Sequence, residues 1–315
     1  MQMKTPLGGR RWLGPTLLWL TLALLVTSVE ARTLRLFVIG NSFSQNATRY
    51  LPDIARDGGH ELILRKAQAG GCFLERHWNA LAAALADPTD PAGHLYGGQS
   101  LPELLGDETW DVITLQQVSW LSGDPTSYHP FFADLSAYLH RVQPEAEQVV
   151  HQIWAYRVDA DRFGRVTPDR NAADQVEMWT ATRAAYRAVA REFGLRLLPV
   201  GDAFQAVHED PVWGYRPDPA VAAQTWVEPA VPEQPHSLHV GYRWKDGTFG
   251  KDANHANVAG EYLGALVWYG VLFAESPTAV TFVPDGLDAD FAAHLRAVAA
   301  ETVAAIEPFN RLEAR

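Results

Sequence analysis

The sequence contains a single cysteine, Cys72, among 315 residues. One cysteine cannot form an internal disulfide, so a small fold held together by disulfides is excluded. A chain of this length buries enough surface to fold without such cross-links. We therefore predict that Cys72 is a small, packed core residue.

The sequence also lacks an apolar run of the ~20 residues that are needed to span a bilayer. Its long apolar stretch, Leu13–Val26, follows three basic residues and precedes small residues that end at Ala31. This order is typical of a secretory signal peptide, although an uncleaved anchor and a twin-arginine signal stay open. We predict a signal peptide over 1–31, a single domain over 32–315, and a periplasmic or secreted protein without stable membrane association after cleavage.

Positive charge is scarce as well. The chain has 26 Lys and Arg against 37 Asp and Glu, a net charge of −11, and loss of the signal would make it more acidic. Nucleic acids and anionic membranes are bound by Lys and Arg that release counterions. The composition thus argues against these partners and leaves a small-molecule or carbohydrate substrate.

No internal repeat or low-complexity tract is present, and short apolar runs alternate with helical patterns. This alternation predicts a parallel sheet with crossover helices. The predicted strands are Arg35–Ile39, Glu61–Lys66, Val112–Leu115, Gln148–Ile153 and Arg196–Val200. The predicted helices lie near Ala47–Asp57, Leu74–Ala86, Pro130–Val142, Ala172–Phe193, Asn257–Phe273 and Leu287–Ile306. Between them, Val207–Gly250 is rich in proline and tryptophan and is predicted to be an irregular loop insertion.

Three residues with the chemistry of a nucleophilic site follow predicted elements. Ser42 comes directly after the first strand, and Asp252 and His255 lie three residues apart before a helix. A serine hydroxyl becomes a nucleophile when an imidazole takes its proton and a carboxylate orients that imidazole. Considered without the other two residues, Ser42 or Ser44 could simply cap the N-terminus of the following helix.

Six sequence pieces around these residues together resemble a known family. They are FVIGNSFSQNATRYLP around Ser42, AGGCFLERHW around Gly71, WDVITLQQVS around Gln116, HQIWAYR after the fourth strand, PVGDAF around Asp202 and KDANHANVAGEYLGALVWYGVLF around His255. Their order and spacing are similar to those of the SGNH, or GDSL-like, hydrolases, and within them to a bacterial group described as a domain of unknown function (DUF4886). The resemblance implies an α/β protein with the three-layer α/β/α, flavodoxin-like SGNH hydrolase fold, built on a central five-stranded parallel sheet.

The resemblance also implies roles for individual residues in ester hydrolysis without a cofactor. Ser42 would be the nucleophile, His255 the base and Asp252 the acid that orients it. The N–H groups of Ser42 and Gly71 would hold the oxyanion, since glycine lets a backbone approach the substrate closely.

Two departures from the family pattern affect this site. The usual Gly-Asp-Ser is Gly40-Asn41-Ser42 here, which keeps the serine. The third block normally supplies an asparagine amide to the oxyanion hole, whereas this chain has Gln116 and Gln117. A glutamine amide offers the same donor on a longer arm, so either one is a candidate.

The expected substrate is an O-acyl group, best an acetyl group, on a carbohydrate. This expectation combines export, the family resemblance and aromatic residues near the strand edge that could stack on sugar rings, namely Trp78, Trp120, Trp154 and Tyr156. The further candidates for contacts to substrate are Asn41, Trp154, Arg157 and Asp202.

Two alternatives from other functional classes stay open. Three imidazoles, those of His236, His239 and His255, together with Asp252 could hold zinc in a metal-dependent hydrolase. A catalytically silent glycan-binding protein on the same fold is the other alternative. Chelation and serine-directed reagents separate the two hydrolase hypotheses.

Overall fold

The computed structural model describes residues 1–3 and 31–313. The predicted signal peptide over 1–31 lies almost wholly outside the described residues. The chain divides into two units, Met1–Glu30 and Ala31–Arg315, and all the helices and strands described belong to the second. None of the helices in the described part of the chain is both long and apolar enough to cross a membrane.

Five parallel strands form the central sheet of this unit. They are β1 (Thr33–Gly40), β2 (Glu61–Gln68), β3 (Val112–Leu115), β4 (Glu147–His151) and β7 (Arg196–Leu198). Two antiparallel pairs lie outside it, β5 (Arg165–Thr167) with β6 (Arg170–Asn171), and β8 (His239–Lys245) with β9 (Thr248–Ala256). The order β2-β1-β3-β4-β7 is that of a flavodoxin-like sheet, so the predicted fold class is confirmed.

Helices cover the sheet in two groups. The α-helices are α1 (Ser42–Ala47), α2 (Leu51–Asp57), α3 (Leu74–Ala86), α4 (Leu101–Leu105), α5 (Phe131–Val142), α6 (Gln175–Phe193), α7 (Val200–Glu209), α8 (Val258–Phe273) and α9 (Ala289–Glu313). Helix α3 packs with α4 and α5, whereas α8 packs with α1, α2, α7 and α9. Short 3-10 helices span Pro91–Gly93, Pro125–Tyr128, Pro219–Ala223 and Pro277–Ala279.

The centre of the core is built from β1 and α8, whose sequences are apolar on every side. Residues 36–39 of β1 are buried on both faces of the sheet, and 259–273 of α8 are buried all round. A helix that is apolar on all sides is stable only when other elements surround it. Helices α1 and α2 pack against α8. Since α1 begins directly after β1, this contact also holds the turn between β1 and α1 in place.

The strand registers bring all five carboxyl ends to one edge of the sheet. Gly40 of β1 pairs with Gln68 of β2, and His151 of β4 pairs with Leu198 of β7. The sheet order reverses between β1 and β3, the position at which open α/β sheets bind ligands. Ser42, which follows β1, lies at that switch point.

The helix predicted near Ala47–Asp57 ends where predicted but begins later, at Leu51, because a separate helix ends at Ala47. Helix α1 ends at Ala47 and α2 begins at Leu51, with Pro52 in its first turn. Proline has no N–H to donate within a helix, so it is tolerated in the first turn but would interrupt a longer helix.

The prediction of an irregular loop over Val207–Gly250 is also wrong at both ends. Helix α7 continues to Glu209, and the β8–β9 hairpin begins at His239. Its two-residue turn, Asp246-Gly247, has φ of 51° and 71°. This left-handed conformation gives the turn a twist that matches the right-handed twist of the two strands. Asp252 and His255 therefore lie on a strand, and their spacing is set by hairpin geometry rather than by a loop.

The prediction for Cys72 is confirmed. Its thiol is free and buried, and burial raises its pKa to about 12. Because the thiolate is the reactive form, this cysteine is an inert packing residue.

Candidate active site

The turn after β1 leaves the Ser42 hydroxyl uninvolved in capping α1. Asn41 is the N-cap of α1, and its Oδ1 accepts a hydrogen bond from the Phe43 N–H at 3.0 Å. Ser44 is buried, donates to the Asn41 carbonyl at 2.9 Å and accepts from Gln68 at 2.8 Å. Neither serine caps the helix, so the capping interpretation is wrong for both.

Ser42, His255 and Asp252 form one continuous chain of hydrogen bonds. Ser42 Oγ lies 2.9 Å from His255 Nε2, and His255 Nδ1 lies 3.0 and 3.1 Å from the two carboxylate oxygens of Asp252. A carboxylate can only accept, so Nδ1 carries a proton and the neutral ring has Nε2 free to accept from the serine hydroxyl. The side chain of His255 is half-exposed, which leaves the serine end of the chain open.

The carboxylate of Asp252 is held ionised by its neighbours. It accepts from the backbone N–H of His255 at 3.1 Å and from Nη2 of Arg243 at 2.8 Å. Burial raises the pKa of this carboxyl, but the hydrogen bonds from His255 and the charge of Arg243 outweigh burial and lower the pKa to about 2. Sequence analysis missed Arg243, which lies on the neighbouring strand β8.

Neighbouring elements hold the segment that carries His255. The indole of Trp154 donates to the carbonyl of Asn254 at 2.9 Å, and the N–H of Arg157 donates to the carbonyl of Ala253 at 2.8 Å. The chain just after β4 therefore aligns β9. Asn46 of α1 accepts from the N–H of Ala256 at 3.3 Å, which links the helix that begins at Ser42 to the same segment.

A buried network near Ser42 connects residues at or just beyond the carboxyl ends of four strands, β1 to β4. The Asn41 amide donates to the carbonyl of Cys72 at 2.9 Å, and Gln116 Nε2 donates to Asn41 Oδ1 at 2.8 Å. His151 Nδ1 in turn donates to Gln116 Oε1 at 2.9 Å. Burial lowers the pKa of His151 to about 3, so its ring is neutral. The predicted role of Asn41 in direct contact with substrate is wrong, because its side chain is buried in this network.

Neither glutamine has its amide directed at the open site. Gln117 Nε2 donates to the carbonyl of Ser127 at 2.8 Å, while its Oε1 accepts from the N–H groups of Leu74 and Val118. Gln116 points to Asn41, as described above. Both side chains are buried, which corrects the expectation that one of them donates directly to an oxyanion.

Two backbone N–H groups remain available beside the hydroxyl. Gly71 has φ of 59°, a left-handed conformation that favours glycine, and the indole of Trp120 lies 3.2 Å from where a side-chain carbon at this position would be. Within 31–313, neither the Ser42 N–H nor the Gly71 N–H donates to another protein atom.

Trp154, Arg157 and Asp202 do not face the open site, which corrects their assignment as substrate contacts. Trp154 is fully buried and stacks on Phe204. The buried guanidinium of Arg157 bonds to Asp159 and Gln234 and lies between two tyrosine rings. Asp202 belongs to α7, and its bonds are to side chains remote from Ser42, namely Gln152, Trp179, Arg183 and Arg187.

Of the four aromatic candidates, Trp120 is the one open to solvent, with 44% of its surface exposed. Trp78 packs against the core, and Tyr156 is buried with its hydroxyl on Ser119. Trp120 lines a cavity of about 730 Å³ that also reaches Asn254, next to His255. This volume is within the usual range of small-ligand sites.

The histidines of the proposed zinc site are bound to different neighbours. His239 bonds to the carbonyl of Ala155, and the ring of His236 packs against Trp213 and Phe291. In the described ranges, 1–3 and 31–313, no three His, Cys, Asp or Glu side chains form a group that could hold a metal. The predicted grouping of His236, His239 and His255 is therefore not formed.

The chain was compared with known families and solved structures. The model of a family described as Domain of unknown function (DUF4886) matches residues 35–210. A crystal structure of a DUF4886 family protein from Bacteroides uniformis is 24% identical, with a TM-score of 0.65 over 86% of this chain and 95% of that one. A phospholipase A1 from Streptomyces albidoflavus is 12% identical, with a TM-score of 0.36 over 74% of this chain and 98% of that one. No curated protein matches the sequence.

Proposed function

The chain belongs to the DUF4886 family, whose description gives no function, and we propose from its site that it is a serine hydrolase that cleaves carboxylic esters. The observation that carries the proposal is the hydrogen-bonded chain from Ser42 through His255 to Asp252. These distances are those required of a nucleophile, its base and the group that orients the base.

In the proposed reaction, Ser42 Oγ attacks the ester carbonyl while His255 Nε2 takes the hydroxyl proton. The Asp252 carboxylate stabilises the resulting imidazolium, which then gives its proton to the departing alcohol. Water, activated by the same imidazole, attacks the acyl-serine, and the acid is released with the serine restored. No other reactant is needed.

The proposed oxyanion hole consists of the Ser42 and Gly71 N–H groups. Neither group has an acceptor within 31–313, as an oxyanion hole requires, and Gly71 directly precedes Cys72, whose carbonyl accepts from Asn41 in the turn that carries Ser42. Asn41 would act as a positioning residue, since its side chain bonds to both the Phe43 N–H and the Cys72 carbonyl.

We further propose that the ester is an O-acyl group, best an acetyl group, on a carbohydrate, and that the protein is exported. Export is supported by the signal-like pattern of residues 1–31. The carbohydrate is supported by the exposed Trp120 at the rim of the site, because an indole can stack on a sugar ring.

Acetate release from acetylated xylo-oligosaccharides and from p-nitrophenyl acetate tests both the proposed ester hydrolysis and the proposed preference for a carbohydrate substrate. We expect hydrolysis of both substrates, undiminished after dialysis against a chelator. Trp120→Ala should lower kcat/KM for the oligosaccharide about threefold to tenfold more than for the aryl ester. Loss of all activity on chelation and recovery with zinc would refute the serine mechanism, and an equal effect on both substrates would refute the sugar contact.

The two glutamines are expected to behave differently when replaced by leucine. Gln116→Leu and Gln117→Leu should each lower the free energy of unfolding by about 2 kcal/mol, because each leaves buried polar groups unpaired. Only Gln116→Leu should also lower kcat, by about tenfold or more, since it releases Asn41 below the nucleophile. Urea unfolding and kcat measured on the same preparations check this. A larger fall in kcat for Gln117→Leu would contradict the network described here.

A further inference from the structure

The 730 Å³ cavity that Trp120 lines has more basic than acidic side chains in its wall, although the protein as a whole is strongly acidic. Three basic side chains line it, those of Arg162, Arg165 and Lys251, against a single carboxylate, that of Asp161. The chain has 26 basic and 37 acidic residues, so a local excess of positive charge runs against its composition. The cavity therefore differs from the rest of the surface in the sign of its charge.

These cations are incompletely neutralised by the protein. Arg162 is exposed and has no ion-pair or hydrogen-bond partner in the structure from 31 to 313. Lys251 donates to the carbonyl of Asp159 and pairs with Asp161 at 3.0 Å, but that carboxylate is 88% exposed and such a pair is weak. Arg165 bonds to Asp124 through one nitrogen, and its buried Nε has no partner among the described residues.

The cavity shares part of its wall with a second cavity that reaches Asp252 and His255. Lys251 and Asn254 line both cavities, and the second has a volume of about 470 Å³. At the opposite side, Trp120 lies against Gly71. A substrate with its ester at Ser42 would thus extend one part into the cationic cavity.

We propose that the substrate carries an anionic group, a carboxylate or a sulfate, next to the ester, and that Arg162 and Lys251 bind it. The proposal rests on the esterase function proposed above and adds the charge of its substrate. Arg162, unpaired and at the cavity wall, would donate to the anion. Trp120 would stack on the ring that bears it. An acidic acylated glycan has both features.

The test compares three acetyl esters of the same size: 4-acetoxybenzoate, 4-acetoxybenzenesulfonate and the neutral 4-acetoxybenzamide. We expect kcat/KM at low salt to be about tenfold higher for at least one anionic ester than for the amide, and the ratio to fall at high ionic strength. The carboxylate and sulfonate arms show which anion is preferred. Arg162→Gln should lower the anionic-to-neutral ratio about tenfold, whereas Arg56→Gln, an exposed arginine on α2, should leave the ratio unchanged.

Binding to Ser42→Ala separates this proposal from the esterase proposal. We expect calorimetry on Ser42→Ala to show tighter binding of an anionic ester than of the neutral amide, and Arg162→Gln in the same background to remove that difference. This result would support the cationic site even if the wild-type protein hydrolysed neither ester. Equal binding of all three ligands, or a ratio unaffected by Arg162→Gln, would overturn the proposal while leaving esterase activity intact.

Discussion

Ser42→Ala is expected to reduce ester hydrolysis by at least about four powers of ten, because the substitution removes the only atom that can form the acyl intermediate. Among the residues that the structure describes, the hydroxyl makes one hydrogen bond, to His255, and Asn41 rather than Ser42 caps α1. The free energy of unfolding should therefore change by less than about 1 kcal/mol. Steady-state kinetics measures the loss of hydrolysis, and urea unfolding of the same preparation measures the change in the free energy of unfolding.

Ser44→Ala is the matched control, two residues away on the same helix. The Ser44 hydroxyl is buried between the Asn41 carbonyl and Gln68, so its loss should lower stability by about 1 kcal/mol. Its effect on kcat should be small compared with that of Ser42→Ala. Retained turnover in Ser42→Ala with lost turnover in Ser44→Ala would show that the nucleophile is wrongly assigned.

Asp252→Asn is expected to lower kcat by about a thousandfold to ten-thousandfold with little change in KM. An amide can present N–H to His255 Nδ1 and so favour the wrong tautomer, in which Nε2 carries the proton and cannot accept one from Ser42. It also removes the charge that stabilises the imidazolium. Asp53→Asn, a substitution of the same kind on α2, should leave kcat unchanged.

The pKa of Asp252 determines the pH range over which Asp252→Asn should lower kcat. Because that pKa is about 2, below the usual 3.8, the carboxylate stays ionised at any pH above about 4, and the loss in Asp252→Asn should persist throughout that range. The depressed pKa also stabilises the fold above about pH 4, a contribution that is lost as pH falls towards 2. Activity of Asp252→Asn equal to the wild type at neutral pH would exclude the orienting role.

The central sheet and the three residues of the proposed catalytic site could be located from the sequence because their signals are local. A buried strand appears as a short apolar run, and parallel strands must present their carboxyl ends at one edge. Ser42 follows such a strand, and the Asp252–His255 pair directly precedes the apolar helix α8. The helix over Leu74–Ala86 was predicted to its observed bounds for the same reason, since its apolar spacing is regular.

The parts that sequence analysis missed depend on pairing between distant residues. The β8–β9 hairpin is an exception, because two local signals could have revealed it: Val240, Tyr242 and Trp244 alternate with other residues along β8, and Asp246-Gly247 is a hairpin-turn sequence. Arg243 reaches Asp252 only through the hairpin, so no local pattern identifies it. The direction of the Gln116 amide is set by its hydrogen bonds to Asn41 and His151, which lie at the ends of two other strands. The spacing of residues along the sequence does not predict this direction.

Covalent labelling with a fluorophosphonate tests the identity of the nucleophile most directly. Such reagents phosphonylate a serine that is activated by a base, so one label per chain is expected, with complete loss of activity. Trypsin should yield the peptide from Leu36 to Arg49, which contains both Ser42 and Ser44, and fragmentation should place the label on Ser42. The Ser42→Ala variant should remain unlabelled. A label on any other residue, or an active protein that resists the reagent, would contradict the serine-hydrolase account.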